Sequence, residues 1–357
     1  MNKITSTLTA LMLLLSLTAS AQSENKQIVN TLAVEGRIGY NYSYFNNSEF
    51  GGISNDATGF RGDYVYLMMG GNISKNVSYF YRQRLDKVGS LPFFDATEIL
   101  NLTWNATDRL HIAGGKQVVA LGGFEYNTAP IDLYSKSEFW WTYSPYELGV
   151  SVDYDITKND NLKLQLNNSS FRYTSGNNTY GVNLMWTGKH GFYESLWSVN
   201  MTQYKVSENS DTKSYWANYI ILGNKFNFTD NMSLSVDLVN RATTNDYKFF
   251  NDYSVMAEFS ARPVKQLRCF AKYTRDYNKD NTHDLAVVAG KEINQGSLGV
   301  EYEPLKDSSL RLFATGAYTW GDATGTSRGT IEGDQILAEV GVKFTLDALK
   351  GIKALLK

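Results

Sequence analysis

The strongest constraint on the fold is an alternation of apolar and polar side chains, which recurs in segments of roughly ten residues. In YELGVSVDY (146–154) the apolar residues are Tyr, Leu, Val, Val and Tyr, with Glu, Gly, Ser and Asp between them. Successive side chains of a β-strand point to opposite faces, so this segment predicts a strand with one apolar and one polar face. The fold must place every such apolar face away from water.

Sixteen segments follow this pattern, and we predict a strand for each: 31–45, 60–73, 77–87, 96–105, 109–120, 146–155, 161–168, 178–187, 192–204, 213–226, 232–242, 252–262, 267–277, 293–303, 310–321 and 334–346. The links between them alternate in length. The short links are 74–76, 106–108, 156–160, 188–191, 227–231, 263–266 and 304–309. The long links are 46–59, 88–95, 121–145, 169–177, 205–212, 243–251, 278–292 and 322–333.

The alternating links favour a membrane barrel. Outer-membrane barrels have tight periplasmic turns and longer extracellular loops, and an even strand number places both ends of the barrel on the periplasmic side. We therefore predict an all-β fold, a transmembrane antiparallel β-barrel of about 16 strands, wide enough for an aqueous channel. The alternative is a secreted β-sandwich, whose loops need not alternate in length. Aromatic residues make up 14% of the chain and suit the interface girdles of a barrel.

The first 21 residues have the three parts of a secretory signal peptide. Lys3 supplies the positive charge, residues 8–17 form an apolar stretch too short to span a bilayer, and residues 19–21 form a small-residue cleavage site. We predict a cleaved signal peptide at 1–21, a periplasmic N-terminal segment at 22–30, an outer-membrane barrel at 31–346 and a short C-terminal tail at 347–357. Export and a barrel together predict the bacterial outer membrane as the location.

The sequence gives little support to several other classes of function. The formal net charge is −2, so no basic surface points to a nucleic-acid partner. Cys269 is the single cysteine, which excludes a disulfide within the chain. His111, His190 and His283 are scattered, and their spacing matches neither a catalytic triad nor a metal site. We therefore predict no enzyme, no metal and no cofactor.

The polar faces of the predicted strands carry charges that would line the lumen. By alternation these are Arg37, Arg82, Arg84, Lys163, Arg262, Arg268, Lys272, Arg311 and Lys343, with Glu35, Asp86, Glu147, Asp153, Glu258, Glu301 and Glu339. Rings of one sign bias which ions pass, whereas opposite charges can instead pair as salt bridges along the wall. We predict a positive patch at Arg82, Arg84 and Arg61, and we count Lys116 as a further pore-lining candidate.

The link 121–145 is the longest and the third of the long links. In the classical porins the third loop folds into the barrel and narrows it, and by analogy we expect the same here. Gly122-Gly123 would allow the inward bend. The charged residues placed at the constriction would be Glu125, Asp132, Lys136 and Glu138, with Tyr126, Tyr134, Trp140 and Trp141 packing the loop against the wall. The alternative is a loop that stands outside the barrel and contributes aromatic residues to a contact between subunits.

The chain resembles the Bacteroidetes-type outer-membrane porins grouped with the phosphate-selective porin O and P family, and the OmpL-like barrel porins are a near competitor. The stretches that carry the resemblance are GKQVVALGGFEYNTAPIDLY (115–134), YELGVSVDY (146–154), YGVNLMWTGKHGFYESLWSVNM (180–201) and YSVMAEFSARPVKQLRCFAKY (253–273). The resemblance implies a trimeric barrel of 16 strands that passes small solutes by diffusion. Some members favour phosphate through a constriction lined by lysine and arginine.

Two features depart from that family. The sequence shows no dense ladder of lysines, and residues 347–357 follow Phe344, whereas barrels of this class often end on an aromatic residue. We expect a porin for small hydrophilic solutes and ions, including anions such as phosphate, that acts as a homotrimer in outer-membrane lipid. The alternatives are a porin specific for a sugar or another solute, and a structural or adhesion barrel with a plugged lumen.

Overall fold

The computed structural model describes residues 28–46, 52–53, 58–171, 178–208, 211–243, 248–305, 309–321 and 334–355. The predicted signal peptide and most of the predicted N-terminal segment lie outside these residues. Within the described part, Asn30 precedes the first strand and donates its backbone N–H to the carbonyl of Gly70 at 2.8 Å.

Sixteen long strands form the fold in the described residues. They are β1 (Thr31–Asn46), β2 (Gly59–Asn72), β3 (Val77–Arg84), β4 (Thr97–Asn105), β5 (Leu110–Val118), β6 (Tyr146–Asp155), β7 (Asp160–Asn168), β8 (Tyr180–His190), β9 (Tyr193–Glu208), β10 (Asp211–Thr229), β11 (Met232–Thr243), β12 (Asp252–Val264), β13 (Leu267–Asn278), β14 (Lys291–Tyr302), β15 (Leu310–Gly321) and β16 (Asp334–Asp347). A further two-residue strand, Gly52–Ile53, pairs with β1 inside the first long link.

The sheet closes on itself. Each long strand pairs antiparallel with its sequence neighbours, and β1 pairs with β16 in a continuous register from Ala33–Asp347 to Asn46–Asp334. Closure gives every strand two partners, so these strands leave no open edge. The predicted antiparallel barrel of 16 strands is confirmed.

Several strand ends differ from prediction by a few residues, and two of these differences change the links. β9 and β10 continue their pairing to Glu208 and Asp211, so the expected long link 205–212 shrinks to 209–210. A strand needs only about 9–11 residues to cross the hydrocarbon core, so this hairpin extends beyond it. The predicted strand 77–87 ends at Arg84, because residues Leu85–Lys87 form a 3₁₀ turn.

The outer and inner faces of the strands differ in exposure as the alternation predicts. On β6, Val150 is 56% exposed on the outer face, whereas Glu147 is 1% exposed on the lumen side. Outward side chains on other strands, such as Leu102 on β4 and Leu164 on β7, are exposed in the same way. This apolar outer belt is the surface that a membrane barrel turns towards lipid.

A large apolar core lies inside the barrel, where the sequence had indicated a polar lumen. It is built from lumen-facing residues of β9 to β12 and from the links after β5 and β7: Val119, Leu121, Tyr126, Phe139, Tyr143, Phe171, Tyr204, Tyr215, Ala217, Tyr219, Ile221, Val239 and Met256. Much of this core lies towards the ends of the strands that carry the long links. The sector of the barrel from β9 to β12 is therefore packed with side chains in its extracellular half.

The helices are short. They are α1 (Phe93–Ala96), α2 (Phe124–Asn127), α3 (Glu138–Thr142) and α4 (Ala348–Leu355), of which α4 occupies the predicted C-terminal tail and contacts β1. Within the described ranges, no helix has the length and apolar character needed to cross a membrane.

The two faces of the barrel should tolerate an added charge differently. Leu298, near the middle of β14, is 67% exposed on the outer face, so Leu298→Arg should lower the free energy of unfolding in lipid by about 2–4 kcal/mol. Thr315→Arg is the control, since Thr315 faces the lumen in register with Glu339 and should change that energy little. Urea unfolding in phospholipid vesicles measures both, and equal losses would contradict the assignment of faces.

Candidate functional site

The segment 119–145, named here the inner loop, leaves β5 and passes into the barrel at Gly122 and Gly123. A Cβ atom on Gly122 would lie 2.6 Å from the carbonyl oxygen of Leu196 on β9, so only glycine permits this close approach. Gly123 has a φ of 88° and donates its N–H to the same oxygen at 3.0 Å. The predicted glycine pair therefore lies where the chain turns along the lumen wall.

Buried amide and hydroxyl side chains on the wall hold the start of the inner loop. Gln165 accepts the N–H of Ala120 at 2.7 Å, and Asn200 donates to the carbonyl of Ala120 at 2.9 Å. Ser198 accepts the N–H of Gly122 at 2.8 Å. A buried backbone polar group without such a partner would be costly, so these contacts fix the path of the chain.

Asp237 on β11 anchors the next turn of the inner loop. Its buried carboxylate accepts the backbone N–H groups of Phe124 at 2.8 Å and of Glu125 at 2.7 Å, at the start of α2. The first N–H groups of a helix have no partner within the helix, and the carboxylate supplies one.

An ion pair joins the inner loop to β13. Glu125 and Lys272 approach to 3.1 Å, and both side chains are buried. Glu125 also accepts the N–H of Ser137 at 2.7 Å, and Lys272 donates to the carbonyl of Ser135 at 2.7 Å. The pair therefore ties two separate parts of the inner loop to the wall and to each other. The predicted constriction residue Glu125 lies within this buried network.

The far end of the inner loop reaches the opposite wall. Asp132 lies 3.2 Å from Arg311 on β15 and also accepts a hydrogen bond from Lys343 on β16. Arg37 on β1 donates to the carbonyls of Ile131 at 3.1 Å and of Leu133 at 3.2 Å. The loop thus lies across the lumen rather than outside the barrel, and Asp132 is partly exposed within it.

Two other predicted constriction residues are buried. The ammonium of Lys136 donates to the hydroxyl of Tyr64 at 2.5 Å and lies over the rings of Trp140 at 3.9 Å and Trp141 at 4.6 Å. Such cation–π contacts gain strength when water is excluded. Glu138 begins α3 and donates its backbone N–H to Asp276 on β13 at 3.0 Å. Both residues fix the loop in place.

The buried tyrosines of the inner loop remain neutral. Burial raises the pKa of Tyr126 and of Tyr143 above the ordinary value. Burial, and then the nearby carboxylate of Glu301, raise the pKa of Tyr134. Tyr134 donates its hydroxyl to Glu301 at 2.7 Å, a contact that the protonated phenol provides.

The predicted positive patch is present on the lumen wall, but carboxylates neutralise most of it. Arg82 pairs with Glu98 at 2.9 Å and Arg84 pairs with Asp86 at 2.5 Å, with little exposure of any of the four side chains. Arg61 is more exposed and lies 3.7 Å from the nearest acidic side chain. Glu98 was missed from the sequence because a β-bulge between β3 and β4 lets its side chain meet the two arginines.

Lys116 does not face the lumen. It pairs in register with Leu100 and Leu148, whose side chains are exposed on the outer face, so its own side chain points outwards. There the ammonium is buried against α1, where it donates to the carbonyl of Phe94 at 3.0 Å and contacts that of Asp95 at 3.4 Å. Successive side chains of β5 alternate between the lumen and the outer face, and Lys116 belongs to the outer face. Its prediction as a pore-lining residue is therefore wrong.

Open space remains below the inner loop, towards the periplasmic ends of β10 to β15. Two adjoining cavities of about 320 Å³ and 170 Å³ share Arg262, Arg268 and Glu258 among their lining residues. We name this space the vestibule. Its partly exposed or exposed charges are Lys225, Arg262, Arg268, Arg311, Asp132, Asp230 and Glu258. The alternation indicated Arg262, Arg268, Arg311 and Glu258, and the expected inward loop indicated Asp132. Lys225 on β10 and Asp230 in a turn were missed.

The histidines are separated from the vestibule. At the periplasmic end, His111 contacts Asp155 at 3.2 Å and His190 contacts Asp160 at 2.9 Å, while His283 lies at the extracellular end. In the part of the chain that the structure describes, no group of three or more His, Cys, Asp or Glu residues could hold a metal ion.

Sixteen antiparallel strands closed around a lumen that a loop narrows define a channel of the porin type. Residues 32–243, more than half of the chain, match the family model of the phosphate-selective porin O and P. The chain belongs to this family and forms an outer-membrane channel. The resemblance to the phosphate-selective porin O and P family is confirmed. No curated protein sequence matches the chain significantly.

Solved porin structures share the fold at low sequence identity. An anion-selective porin from Comamonas acidovorans is 13% identical, with a TM-score of 0.63 over 88% of this chain and 99% of that one. The channel DcaP of Acinetobacter baumannii is 14% identical, with a TM-score of 0.61 over 89% and 97%. The trimer form of OmpT from Vibrio cholerae is 11% identical, with a TM-score of 0.60 over 88% and 99%.

Removing the carboxylate of Asp237 should loosen the inner loop. Asp237→Ala leaves two buried N–H groups without their acceptor, at a cost of about 1–3 kcal/mol each. Amide hydrogen exchange over 119–145 should therefore become faster. Asp230→Ala, in an exposed turn of the same cavity, is the matched control and should leave that exchange unchanged. An inner loop equally protected in both variants would contradict this role for Asp237.

Proposed function

We propose that the barrel is a passive diffusion porin for small hydrophilic solutes and ions, with a weak preference for anions. The observation that carries this proposal is the charge of the vestibule. Its accessible cations are Lys225, Arg262, Arg268 and Arg311, against the three accessible anions Asp132, Asp230 and Glu258. Inward charges set the electrostatic field that a permeating ion crosses, and a small positive excess favours anions weakly.

The inner loop would set the width of the path. Its far end meets the wall where Asp132 contacts Arg311 and Lys343, so a solute passes charged groups of both signs that are fixed by their pairing. Phosphate and chloride are the natural test anions for this field. The family name supports phosphate, whereas the mixed charges of the vestibule support only a modest preference.

The proposed function is transport without chemistry. Catalysis would require a nucleophile, a base and a group that orients the base to lie together. His111 and His190 instead pair with carboxylates at the periplasmic end, and His283 lies at the other end of the barrel. No single site could combine them.

The proposed assembly is a homotrimer embedded in outer-membrane lipid. The apolar outer belt supports the contact with lipid, and the trimer form of OmpT among the similar structures supports the number of subunits. Part of the outer face would then be buried between subunits. Chemical cross-linking in native outer-membrane vesicles would separate trimers from monomers.

A second candidate is a structural barrel with a plugged lumen. The apolar core inside the barrel favours it, because packed side chains fill the extracellular half of the sector from β9 to β12. The two candidates differ in a planar bilayer, where folded protein gives stepwise conductance only if a continuous water path exists.

Reversing one charge in the vestibule should change ion selectivity. Arg262→Glu is expected to lower the anion-to-cation permeability ratio roughly twofold, because it replaces an accessible cation by an anion. The reversal potential in a salt gradient across a planar bilayer measures this ratio. Lys265→Glu is the matched control, since it makes the same charge change in the neighbouring exposed turn outside the vestibule lining. Equal shifts in both variants would contradict a local field.

Deleting residues 124–138 should widen the path. Without this part of the inner loop the lumen loses Glu125, Asp132 and Lys136 together with the aromatic residues around them, so single-channel conductance should rise roughly twofold or more. Migration of unheated protein in gel electrophoresis checks that the barrel still folds. A folded deletion variant with the conductance of the intact protein would show that the inner loop does not limit the path.

A further inference from the structure

A second segment also lies inside the barrel. Residues 279–290, named here the cap segment, connect β13 to β14 at the extracellular end. Ala286 and Val287 are each 1% exposed and pack with Ile293, and the side chain of Asn281 is also buried. An extracellular loop that stood in water would not bury these residues, so the cap segment is folded inwards.

One buried ion pair holds the cap segment. The guanidinium of Arg241 on β11 donates to the carboxylate of Asp284 through Nε at 3.0 Å and through Nη2 at 2.9 Å. Nη2 also donates to the carbonyl of Tyr277 at 2.9 Å, and Nη1 donates to Ser254. Both charged side chains are almost fully buried. A buried charge without its partner is strongly unfavourable, so Asp284 is held firmly in this position.

The cap segment extends from its own strands to the far side of this sector. Tyr204 on β9 donates its hydroxyl to the carbonyl of His283 at 3.3 Å, and the ring of Tyr215 on β10 lies 5.0 Å from the imidazole. Asn281 donates to Asp252 on β12 at 2.6 Å. Leu285 packs against the apolar core below. The segment therefore covers the mouth of the barrel from β9 to β13.

We infer that the cap segment completes a second constriction, in which it and the apolar core beneath it close the β9–β13 sector and confine solutes to the remaining part of the mouth, and that Arg241 is its positioning residue. Arginine suits this role because its planar guanidinium can bind a carboxylate through two donors and a carbonyl through a third. Because a constriction matters only in a barrel that conducts, this role rests on the proposed function.

Asp284→Asn tests the anchor with little change of shape. It removes the nearer of the two buried carboxylates that compensate Arg241 and leaves Asp276 at 3.8 Å to hold the guanidinium on the wall, so the cap segment should leave the mouth. Single-channel conductance should then rise about 1.5-fold, since Leu285 leaves the apolar core with the cap segment and the sector beneath it opens to water. The size limit for neutral sugars in liposome swelling should rise with it.

Asp280→Asn is the matched control. It makes the same substitution in the same segment, but Asp280 pairs with Lys248 at the surface, where both side chains are at least half exposed. Exposed pairs contribute little, so this variant should keep the conductance and size limit of the wild type. An Asp284→Asn variant that also keeps them overturns the inference, as does an equal rise in both variants.

A reversible cross-link separates release of the cap segment from general misfolding. Thr243 and Asn281 are in side-chain contact at 3.3 Å, so cysteines at these two positions could join the cap segment to β11. In a Cys269→Ala background that also carries Asp284→Asn, oxidation should return the conductance to the wild-type level. Reduction of the same sample should raise it again, and an unchanged conductance in both states overturns the inference.

Failure of the proposed porin function can be distinguished from failure of the inference about the cap segment. A folded wild-type barrel without conductance refutes the porin proposal itself. Hydrogen exchange over 279–290 then still tests the anchor, because Asp284→Asn should speed exchange there and Asp280→Asn should not. Equal exchange in the two variants overturns the role of Arg241 whether or not the barrel conducts.

Discussion

The structure depends on a single constraint, which is that charges inside a closed barrel must find partners within the protein. Glu125 and Lys272 meet this constraint across the lumen at 3.1 Å, with Asp237 bound to the adjoining backbone N–H groups. The energetic cost of leaving any of these groups unpaired keeps the inner loop inside. The width of the path therefore follows from electrostatic pairing as much as from the number of strands.

Much of the fold could be predicted because strands have a local signature. The two-residue period and the alternating links identified sixteen strands, and Gly122-Gly123 marked the inward bend. Contacts between distant residues have no such signature. Arg241 and Asp284 lie 43 residues apart, and nothing near either one indicates the pair. The β-bulge that brings Glu98 to Arg82 and Arg84 shifts the local register, which the sequence does not indicate. Lys116 was wrongly predicted to line the pore, although the two-residue period of its strand places it on the outer face of the barrel.

The apolar core inside the barrel explains why composition gave an incomplete picture of the lumen. Aromatic residues such as Tyr204 and Tyr219 are compatible with a membrane girdle in sequence, yet both face inwards. Tyr219 packs against Phe139 and Tyr143 of the inner loop, and Tyr204 packs against Phe171. The same residue types thus serve the outer belt and the inner core. Which of the two a residue joins depends on its position in the alternation and on which loop lies opposite.

The inner loop contacts the last strand of the barrel, and this contact bears on the order in which the barrel folds. Asp132 contacts Lys343, which is 211 residues further along the chain and in the last strand. Contacts of such high sequence separation form late, because the intervening chain must first be ordered. The start of the loop already has its partners on β7, β9, β11 and β13, but its far end can dock only when β15 and β16 have been added. The last stage of narrowing is therefore coupled to closure of the seam.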